Sequence, residues 1–331
     1  MRRVLVAFFG AALVASLVAV GAVVEAQQPA AVPAPTPAPT PAAAPSPSWA
    51  FPVIDGKIAP EPPGPKTLRG STKSYTPEQI DDLLNPPDWF PDAHPPAPTI
   101  VTTGHAGALA CGSCHLMNGL GHPESSELLG LTADYIVQQM ADFKSGVRRD
   151  YARMNGIAKE TTDDEVKAAA AWFASLKPAR STSRVVEAAM VPQTFVGPGR
   201  MRFAQPGGAM EPIGARIITL PDNQELARLR DPLSGFISYV PPGSIARGKA
   251  LVDTGGGKTI TCTLCHGPNL KGLANVPRLA GVHPIYLARQ LMLFKDGRRN
   301  GPDAALMKGA VAQLTDDDII ALSAYLGSLE P

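Results

Sequence analysis

The sequence has almost no net charge and very few cysteines. Its 331 residues include 30 Lys and Arg against 29 Asp and Glu, a formal net charge of +1. Nucleic-acid binding needs a basic excess that neutralises phosphates, so this balance disfavours nucleic acid as a main partner. Four cysteines are too few for a disulfide scaffold in so long a chain. The apolar fraction of 44% excludes wholesale disorder, and the length suggests about two domains.

Proline, by contrast, is abundant, with 35 residues where average usage is only about 5% of a chain. Much of it lies in a stretch of Pro, Ala and Thr that begins near residue 29. A fixed φ and a missing amide hydrogen favour extended polyproline II there, and such a stretch builds no core. We therefore expect residues 27–74 to form a disordered linker.

The first 26 residues are predicted to direct export. Arg2 and Arg3 precede a long apolar run, and Val24 and Ala26 put small residues where a signal peptidase cleaves. The run is also close to the roughly 20 residues that cross a bilayer. Residues 1–26 are therefore a cleaved signal peptide or a retained membrane anchor, and both alternatives stay open. Either way the rest of the chain is expected outside the cytoplasm.

The cysteines occur in two copies of one motif, in which two cysteines separated by two residues precede a histidine. The copies are Cys111-Gly-Ser-Cys114-His115 and Cys262-Thr-Leu-Cys265-His266. This spacing is typical of c-type haem attachment, where both thiols form thioethers and the imidazole binds the iron. A thioredoxin-like pair needs no such histidine, and a zinc site would need further ligands nearby. We predict two covalently attached haem c groups as cofactors, each with one iron.

The motifs lie within a longer duplication. Landmark residues recur 151 positions apart and, after two extra residues in the second copy, 153 positions apart. Matched pairs include Tyr135 and Tyr286, Gln139 and Gln290, Phe143 and Phe294, Met154 and Met307, and Thr162 and Thr315. Each copy is therefore expected to be one folding unit that holds one haem.

Each copy has a helical pattern. Apolar residues recur at three- and four-residue steps, without the alternation typical of strands. Thr162 and Thr315 are predicted N-caps, with Glu165 completing a capping box in the first copy. Ser244 is a predicted N-cap of a helix before the second motif. We predict a mainly α fold with two helical domains.

The predicted domain organisation follows from these features. The first helical domain is placed at 75–178 and the second at 244–331, after the Pro-rich tether. The segment between them, 179–243, is expected to be irregular with little β structure. Within it, a run at 215–220 resembles a strand, and a short helix is expected at 225–230.

The sixth iron ligand is predicted from the duplication. A haem that only passes electrons works best with both axial positions filled, and a Met opposite His raises its potential. Only Met154 and Met307 match each other, and both are expected on loops before the last helix of their copy. The remaining methionines are expected to pack in the core or to lie outside the copies. Four other histidines are expected to be surface or satisfied core residues: His94, His105, His122 and His283.

Basic residues cluster just before each candidate methionine. They are Lys144, Arg148, Arg149 and Arg153 in the first copy and Lys295, Arg298 and Arg299 in the second. Two hypotheses stay open for them. They pair with haem propionates or an acidic partner, or they form solvated helix ends favoured by the helix dipole.

Taken together, each copy resembles a class I cytochrome c. The resemblance is carried by the Cys-x-x-Cys-His motif, a Phe-Lys-x-Gly-x-Arg helix end, a loop Met and a final Thr-Asp-Asp helix. Two copies in tandem resemble the dihaem class I cytochromes c of bacterial periplasms, over residues 111–176 and 262–329. This implies class I cytochrome c-like domains and His/Met ligation of both haem irons. The implied location is the periplasm, either soluble or tethered to the cytoplasmic membrane.

Two departures in the first copy set it apart from that family. Members usually have a helix just before the attachment motif, and the nearest candidate here is the distant run 77–84. They also tend to have a Pro whose carbonyl orients the iron-binding imidazole. Pro277 fits this role in the second copy, whereas the first copy has Ser126. The resemblance therefore implies that the first haem is held less firmly or differs in potential from the second.

The function implied is electron transfer rather than catalysis. The chain would pass single electrons between a dehydrogenase or quinol-oxidising complex and a terminal acceptor such as a terminal oxidase. The alternative is a dihaem oxidoreductase of the bacterial cytochrome c peroxidase kind, which keeps one iron open. Matched methionines in both copies favour the carrier.

Overall fold

The computed structural model describes residues 47–177 and 181–331. The segment predicted as signal peptide or anchor lies outside these residues, as does the linker up to residue 46. Within the described ranges, none of the helices combines the length and apolar character needed to cross a bilayer.

The end of the predicted linker is ordered instead of disordered. Within 47–74, Trp49 and Phe51 are buried in the core cluster that is built mainly by the second copy. Further along, Lys66–Thr67 (β1) pairs antiparallel with Ser74–Tyr75 (β2). Disorder was predicted from the high proline content. Burial of two large aromatic side chains instead stabilises an ordered conformation of this stretch.

The first copy is helical, as predicted. Its helices are Pro77–Asp81 (α1), Thr99–Thr102 (α2), Gly112–His115 (α3), Ala133–Ser145 (α4), Met154–Glu160 (α5) and Asp163–Ser175 (α6). Thr162 caps α6, and Glu165 completes the predicted capping box. Helix α4 packs on α5 and α6, and Ile136 and Phe173 lie in the shared core. The short α2 precedes the cysteine motif more closely than the predicted helix, which is α1.

The segment between the copies carries most of the described β structure, in short strands. They are Ser183–Glu187 (β3), Met190–Pro192 (β4), Thr194–Val196 (β5), Arg202–Ala204 (β6), Met210–Pro212 (β7), Ile218–Pro221 (β8) and Phe236–Val240 (β9), with the helix Gln224–Arg228 (α7) before β9. Strand β9 lies between β3, which it pairs in parallel, and β8, which it pairs antiparallel. Strands β4 and β7, and β5 and β6, form antiparallel pairs. The predicted strand and helix of this segment are present, with shifted ends.

The second copy repeats the helical arrangement. Its helices are Ser244–Thr254 (α8), Thr263–His266 (α9), Pro284–Lys295 (α10), Ala304–Val311 (α11) and Asp316–Gly327 (α12). Thr315 caps α12, with Asp318 completing a capping box. The N-cap of α8 is Gly243, in a left-handed conformation, so the prediction of Ser244 as N-cap is wrong. Gly248 lets α8 approach α12 closely, because a Cβ there would lie 1.9 Å from the Ala321 carbonyl oxygen.

Candidate functional site

A single cavity of about 1350 Å³ extends through both copies. Its wall includes all eight predicted site residues: Cys111, Cys114, His115, Met154, Cys262, Cys265, His266 and Met307. A site for one small ligand usually has about 300–1,000 Å³, so this cavity has room for more than one large group. The roles of the eight residues stay a prediction.

In each copy, one helical turn presents the two thiols and the imidazole together. The amide of His115 donates to the Cys111 carbonyl (3.0 Å), and that of His266 donates to the Cys262 carbonyl (3.0 Å). This turn closes α3 in the first copy and α9 in the second. The spacing of the motif therefore places all three groups against the same cavity wall.

The imidazoles are oriented alike in both copies. Nδ1–H of His115 donates to the Ser126 carbonyl oxygen at 2.8 Å, and Nδ1–H of His266 donates to the Pro277 carbonyl oxygen at 2.8 Å. Because the acceptor is a backbone oxygen, a serine serves as well as a proline. This contact therefore does not distinguish the two imidazoles, and a less firmly held first haem or a difference in potential stays a prediction.

Burial keeps these groups neutral. Burial lowers the pKa of His115 and of His266, so each imidazole is uncharged. With the proton on Nδ1, Nε2 carries a free lone pair. Burial also raises the pKa of Cys111 to about 12 and that of Cys262 to about 11. Reactive redox cysteines need a lowered pKa, so these thiols do not resemble a thioredoxin-like pair.

A zinc site is also disfavoured in the part of the chain that the structure describes. Among residues 47–177 and 181–331, no group of three or more His, Cys, Asp and Glu side chains is placed to hold a metal ion. A structural zinc site needs four such ligands. One imidazole with two thiols in each copy fits the haem-attachment hypothesis better.

Both candidate methionines line the cavity, but on helices rather than on the predicted loops. Met154 is the first residue of α5, and Met307 lies inside α11. The Asp150 carboxylate accepts hydrogen bonds from the amides of Ala152 (2.9 Å), Arg153 (2.6 Å) and Met154 (3.1 Å), which satisfies the start of α5. The sequence analysis did not predict that Asp150, four residues before the first residue of α5, caps this helix.

One further methionine reaches the cavity. Met140 on α4 lines it, and so does Leu291, which occupies the matching position of α10. A position that is Met in one copy and Leu in the other provides an apolar wall in both. The packing role predicted for Met140 agrees with this placement.

The four other histidines differ in their surroundings. His94 and His105 lie near carboxylates, at 3.2 Å from Asp88 and 3.2 Å from Glu165 respectively. His122 is half-buried on the cavity wall, and desolvation lowers its pKa to about 3. His283 is buried as well, but neither ring nitrogen has a hydrogen-bond partner among the described residues. The prediction of a satisfied core residue is therefore wrong for His283.

Arg148 and Arg299 lie where the two copies meet, and both are buried. Arg148 donates to Gln139 in its own copy (2.6 Å) and to Gln290 in the other (3.0 Å). Arg299 reciprocally donates to Gln290 (3.0 Å) and to Gln139 (3.0 Å), and also to Tyr135 (2.6 Å). Solvated helix ends, one of the two hypotheses for the basic cluster, are therefore excluded for these two arginines.

The duplication showed that Arg148 and Arg299 are equivalent residues of the two copies, but it did not show that they contact each other. Arg148 and Arg299 are paired by an antiparallel backbone bridge, and each guanidinium lies over a phenylalanine of its own copy. The distances to the ring centres are 4.3 Å for Phe143 and 4.4 Å for Phe294. Reciprocal contacts of this kind indicate that an approximate two-fold relation connects the copies. Both guanidinium groups also border the cavity.

Two buried ion pairs between the copies were missed in the sequence. Arg289 pairs with Glu124 (2.5 Å) and donates to the Pro123 carbonyl (3.0 Å). Arg278 pairs with Glu127, its equivalent across the duplication. Both carboxylates belong to the loop that follows His115, so the second copy fixes this loop of the first. Charged residues in loops are usually exposed, so the sequence did not indicate that the side chains of Glu124 and Glu127 are buried.

Comparison with known proteins places these features in a family. The family model described as "Cytochrome c" matches residues 245–330. Cytochrome c-554(548) from Halomonas halodenitrificans is 41% identical over 71 residues, which cover 21% of this chain and 86% of that protein. The chain belongs to the cytochrome c family.

Two longer matches each cover about two thirds of this cytochrome. Cytochrome c4 from Pseudomonas aeruginosa is 28% identical over 233 residues, which cover 69% of this chain and 88% of that protein. A protein named thiosulfate dehydrogenase electron acceptor, from Thiomonas intermedia, is 26% identical over 224 residues, which cover 67% and 79%. The predicted dihaem class I cytochrome c and its mainly α fold are thereby confirmed.

The residues present fit the cofactor of this family. The predicted two covalently bound haem c groups are confirmed for this cytochrome. Each copy offers two thiols and one neutral imidazole at the wall of the same large cavity. Apolar positions such as Met140 and Leu291 provide the surroundings that a macrocycle needs.

Proposed function

We propose that this cytochrome is a periplasmic electron carrier that passes single electrons between two redox proteins. In this proposal Cys111 and Cys114 hold one haem through thioethers, and Cys262 and Cys265 hold the other. Residues 75–178 and 244–331 each contain one of these sites, and 179–243 lies between them. The observation that carries the proposal is the single cavity shared by both motifs and both matched methionines.

His115 with Met154 would hold the iron of one haem, and His266 with Met307 would hold the iron of the other. The bound haem supplies one-electron chemistry at its iron. The Ser126 and Pro277 carbonyls hold Nδ1–H of each imidazole, which leaves Nε2 directed away from the protein backbone for ligation. A thioether sulfur supplied by either methionine would favour the reduced state of the iron and would keep small molecules from binding it.

The arginines between the copies have a positioning role in this proposal. Arg148 and Arg299 place two buried positive charges on the cavity wall, each held by a glutamine from both copies. Propionates are the groups on a haem that such charges would pair with. The same contacts fix the two sites relative to each other.

Partners follow from the relatives and from the predicted export. Two similar proteins carry the name thiosulfate dehydrogenase electron acceptor. A thiosulfate-oxidising dehydrogenase is therefore the first donor to test, before a quinol-oxidising complex. A terminal oxidase is a fitting acceptor, and attachment to the membrane through the N-terminal segment remains part of the proposal.

Carbon monoxide binding tests the carrier against the peroxidase-like alternative. The reduced holoprotein should bind none, because both sixth positions are filled. Met154→Ala and Met307→Ala should each create one binding site, seen as a shifted Soret band, while the thioethers retain both haems. Met140→Leu is the matched control, since the equivalent position is already Leu291. Binding to the unmodified protein would favour the enzyme.

A further inference from the structure

The two cysteine motifs differ in how the protein covers them. Gly112 and Ser113, between the first pair of cysteines, are buried, and Ser113 has no exposed surface. Their equivalents, Thr263 and Leu264, are exposed, and Leu264 is 72% accessible. The same element of the duplication is therefore interior in one copy and surface in the other.

The first motif is shielded from solvent partly by the chain that precedes it. Ser113 Oγ donates to the Leu83 carbonyl at 2.6 Å, just after α1. A Cβ at Gly112 would lie 2.7 Å from the Met117 sulfur and 2.9 Å from the Val101 carbonyl oxygen. Only a glycine fits beneath these neighbours without displacing them.

The segment between the copies also shields the first motif from solvent. Arg230 donates to the Ser113 carbonyl (2.5 Å) and to the Ile80 carbonyl (2.7 Å), which connects both covering parts. Asn118 donates to the Pro232 carbonyl at 2.6 Å. The segment after α7 is thereby fastened across the outer side of the first motif.

The second motif presents an apolar surface instead. Leu264 does not line the cavity, so its side chain faces outward whatever the cavity holds. Ile260 and Leu306 are exposed as well and lie at the rim of the cavity. We call Ile260, Thr263, Leu264 and Leu306 the second-motif patch.

None of the four residues of the second-motif patch is charged, although the exposed Asp303 and Lys308 flank Leu306 along the chain. Residues 259–264 contain no Asp, Glu, Lys or Arg. The adjacent Lys258 is paired with Asp318, at 2.7 Å between Nζ and Oδ2. With a formal net charge of +1 for the whole chain, long-range attraction contributes little to recognition here.

We propose that the second-motif patch is the surface on which a redox partner docks, and that electrons reach the first site through the second. The partner is a protein with an uncharged, apolar face around its own redox centre. Exposed apolar side chains at a cavity rim mark interaction surfaces, and a patch whose own residues are uncharged favours an apolar partner face over one recognised by charge. The proposal rests on the proposed function, in which both motifs hold haem.

Two leucines allow a matched test. Leu264 lies in the patch, and Leu233, 67% accessible, lies in the segment that covers the first motif. Leu264→Asp and Leu233→Asp introduce the same charge at similar exposure. The oxidised holoprotein is mixed in a stopped-flow instrument with a reduced blue-copper protein whose copper lies beneath an uncharged apolar face. The bimolecular rate constant is measured at low and high salt.

We expect Leu264→Asp to slow electron transfer about tenfold or more, because docking would desolvate the new carboxylate. Leu233→Asp should change the rate less than about twofold, and the unmodified protein should show little salt dependence. A slower rate in Leu233→Asp alone, in both variants equally, or in neither overturns the proposal.

Reduction by ascorbate separates this outcome from the proposed function. Ascorbate needs no docking surface, so all three proteins should be reduced by it at similar rates. Failure of ascorbate to reduce the unmodified protein at both haems contradicts the carrier itself. Equal ascorbate rates with unequal blue-copper rates locate the effect at the patch.

Discussion

The first and second copies have the same groups at their candidate sites but different surroundings. In each, the imidazole Nδ1–H donates to a backbone carbonyl at 2.8 Å, and a matched methionine lines the shared cavity. Yet Ser113 is buried beneath two other segments, while its equivalent Leu264 is exposed. The groups proposed to bind haem follow from local sequence, whereas exposure is decided by segments outside the duplication.

The largest effect on this comparison is expected from the ion pair that holds the first copy's loop. Arg289→Met leaves the Glu124 carboxylate buried without its partner, which should cost about 3–5 kcal/mol of unfolding free energy. Denaturant unfolding of the holoprotein, followed by far-UV circular dichroism, measures it. Lys249→Met, in the exposed pair with Asp253, is the control and should have little effect. Equal losses in both variants would contradict a special role for the buried pair.

A smaller effect is expected where the copies meet. Arg148→Lys and Arg299→Lys keep the charge but cannot satisfy all the acceptors of the guanidinium, which should cost about 1–3 kcal/mol each. The double variant should lose less than the sum, because both side chains share Gln139 and Gln290. Thermal unfolding of the four proteins gives the coupling. Strict additivity would mean that the network does not act as a unit.

The smallest effect is expected at the carbonyl that orients the second imidazole. Pro277→Ser reproduces the residue found at the equivalent position of the first copy, Ser126. The accepting oxygen belongs to the backbone, so stability should fall by about 1 kcal/mol or less, from greater freedom of the unfolded chain. The potential of the second haem, from a spectroscopic redox titration, should stay unchanged. A marked fall in the potential of the second haem would contradict this account, because it would show that the proline side chain itself influences the potential.

Local features were predictable from the sequence. The capped helices α6 and α12 begin where Thr162 and Thr315 predicted, because a cap depends on residues within one turn. The two attachment motifs and the matched methionines followed from spacing and duplication. That Met154 and Met307 lie on helices was not predicted. For α5, the capping carboxylate belongs to Asp150, four residues before the first helical residue.

Features that depend on distant partners were not predictable. Strand β3 pairs with β9 some fifty residues later, and in neither strand do apolar and polar residues alternate along the sequence. Trp49 and Phe51 were hidden among prolines, although their burial orders the chain there. The duplication showed that Arg148 and Arg299 correspond, but a two-fold contact between equivalent residues leaves no further trace in one sequence.

The central claim is that both sites have the same pair of axial ligands despite their unequal cover. Proton NMR of the reduced holoprotein tests it most directly, because a methionine methyl group on low-spin ferrous haem is shifted far upfield by the ring current. The account predicts two such methyl signals, one lost in Met154→Leu and the other in Met307→Leu. A single signal in the unmodified protein, or one that survives both substitutions, would contradict it.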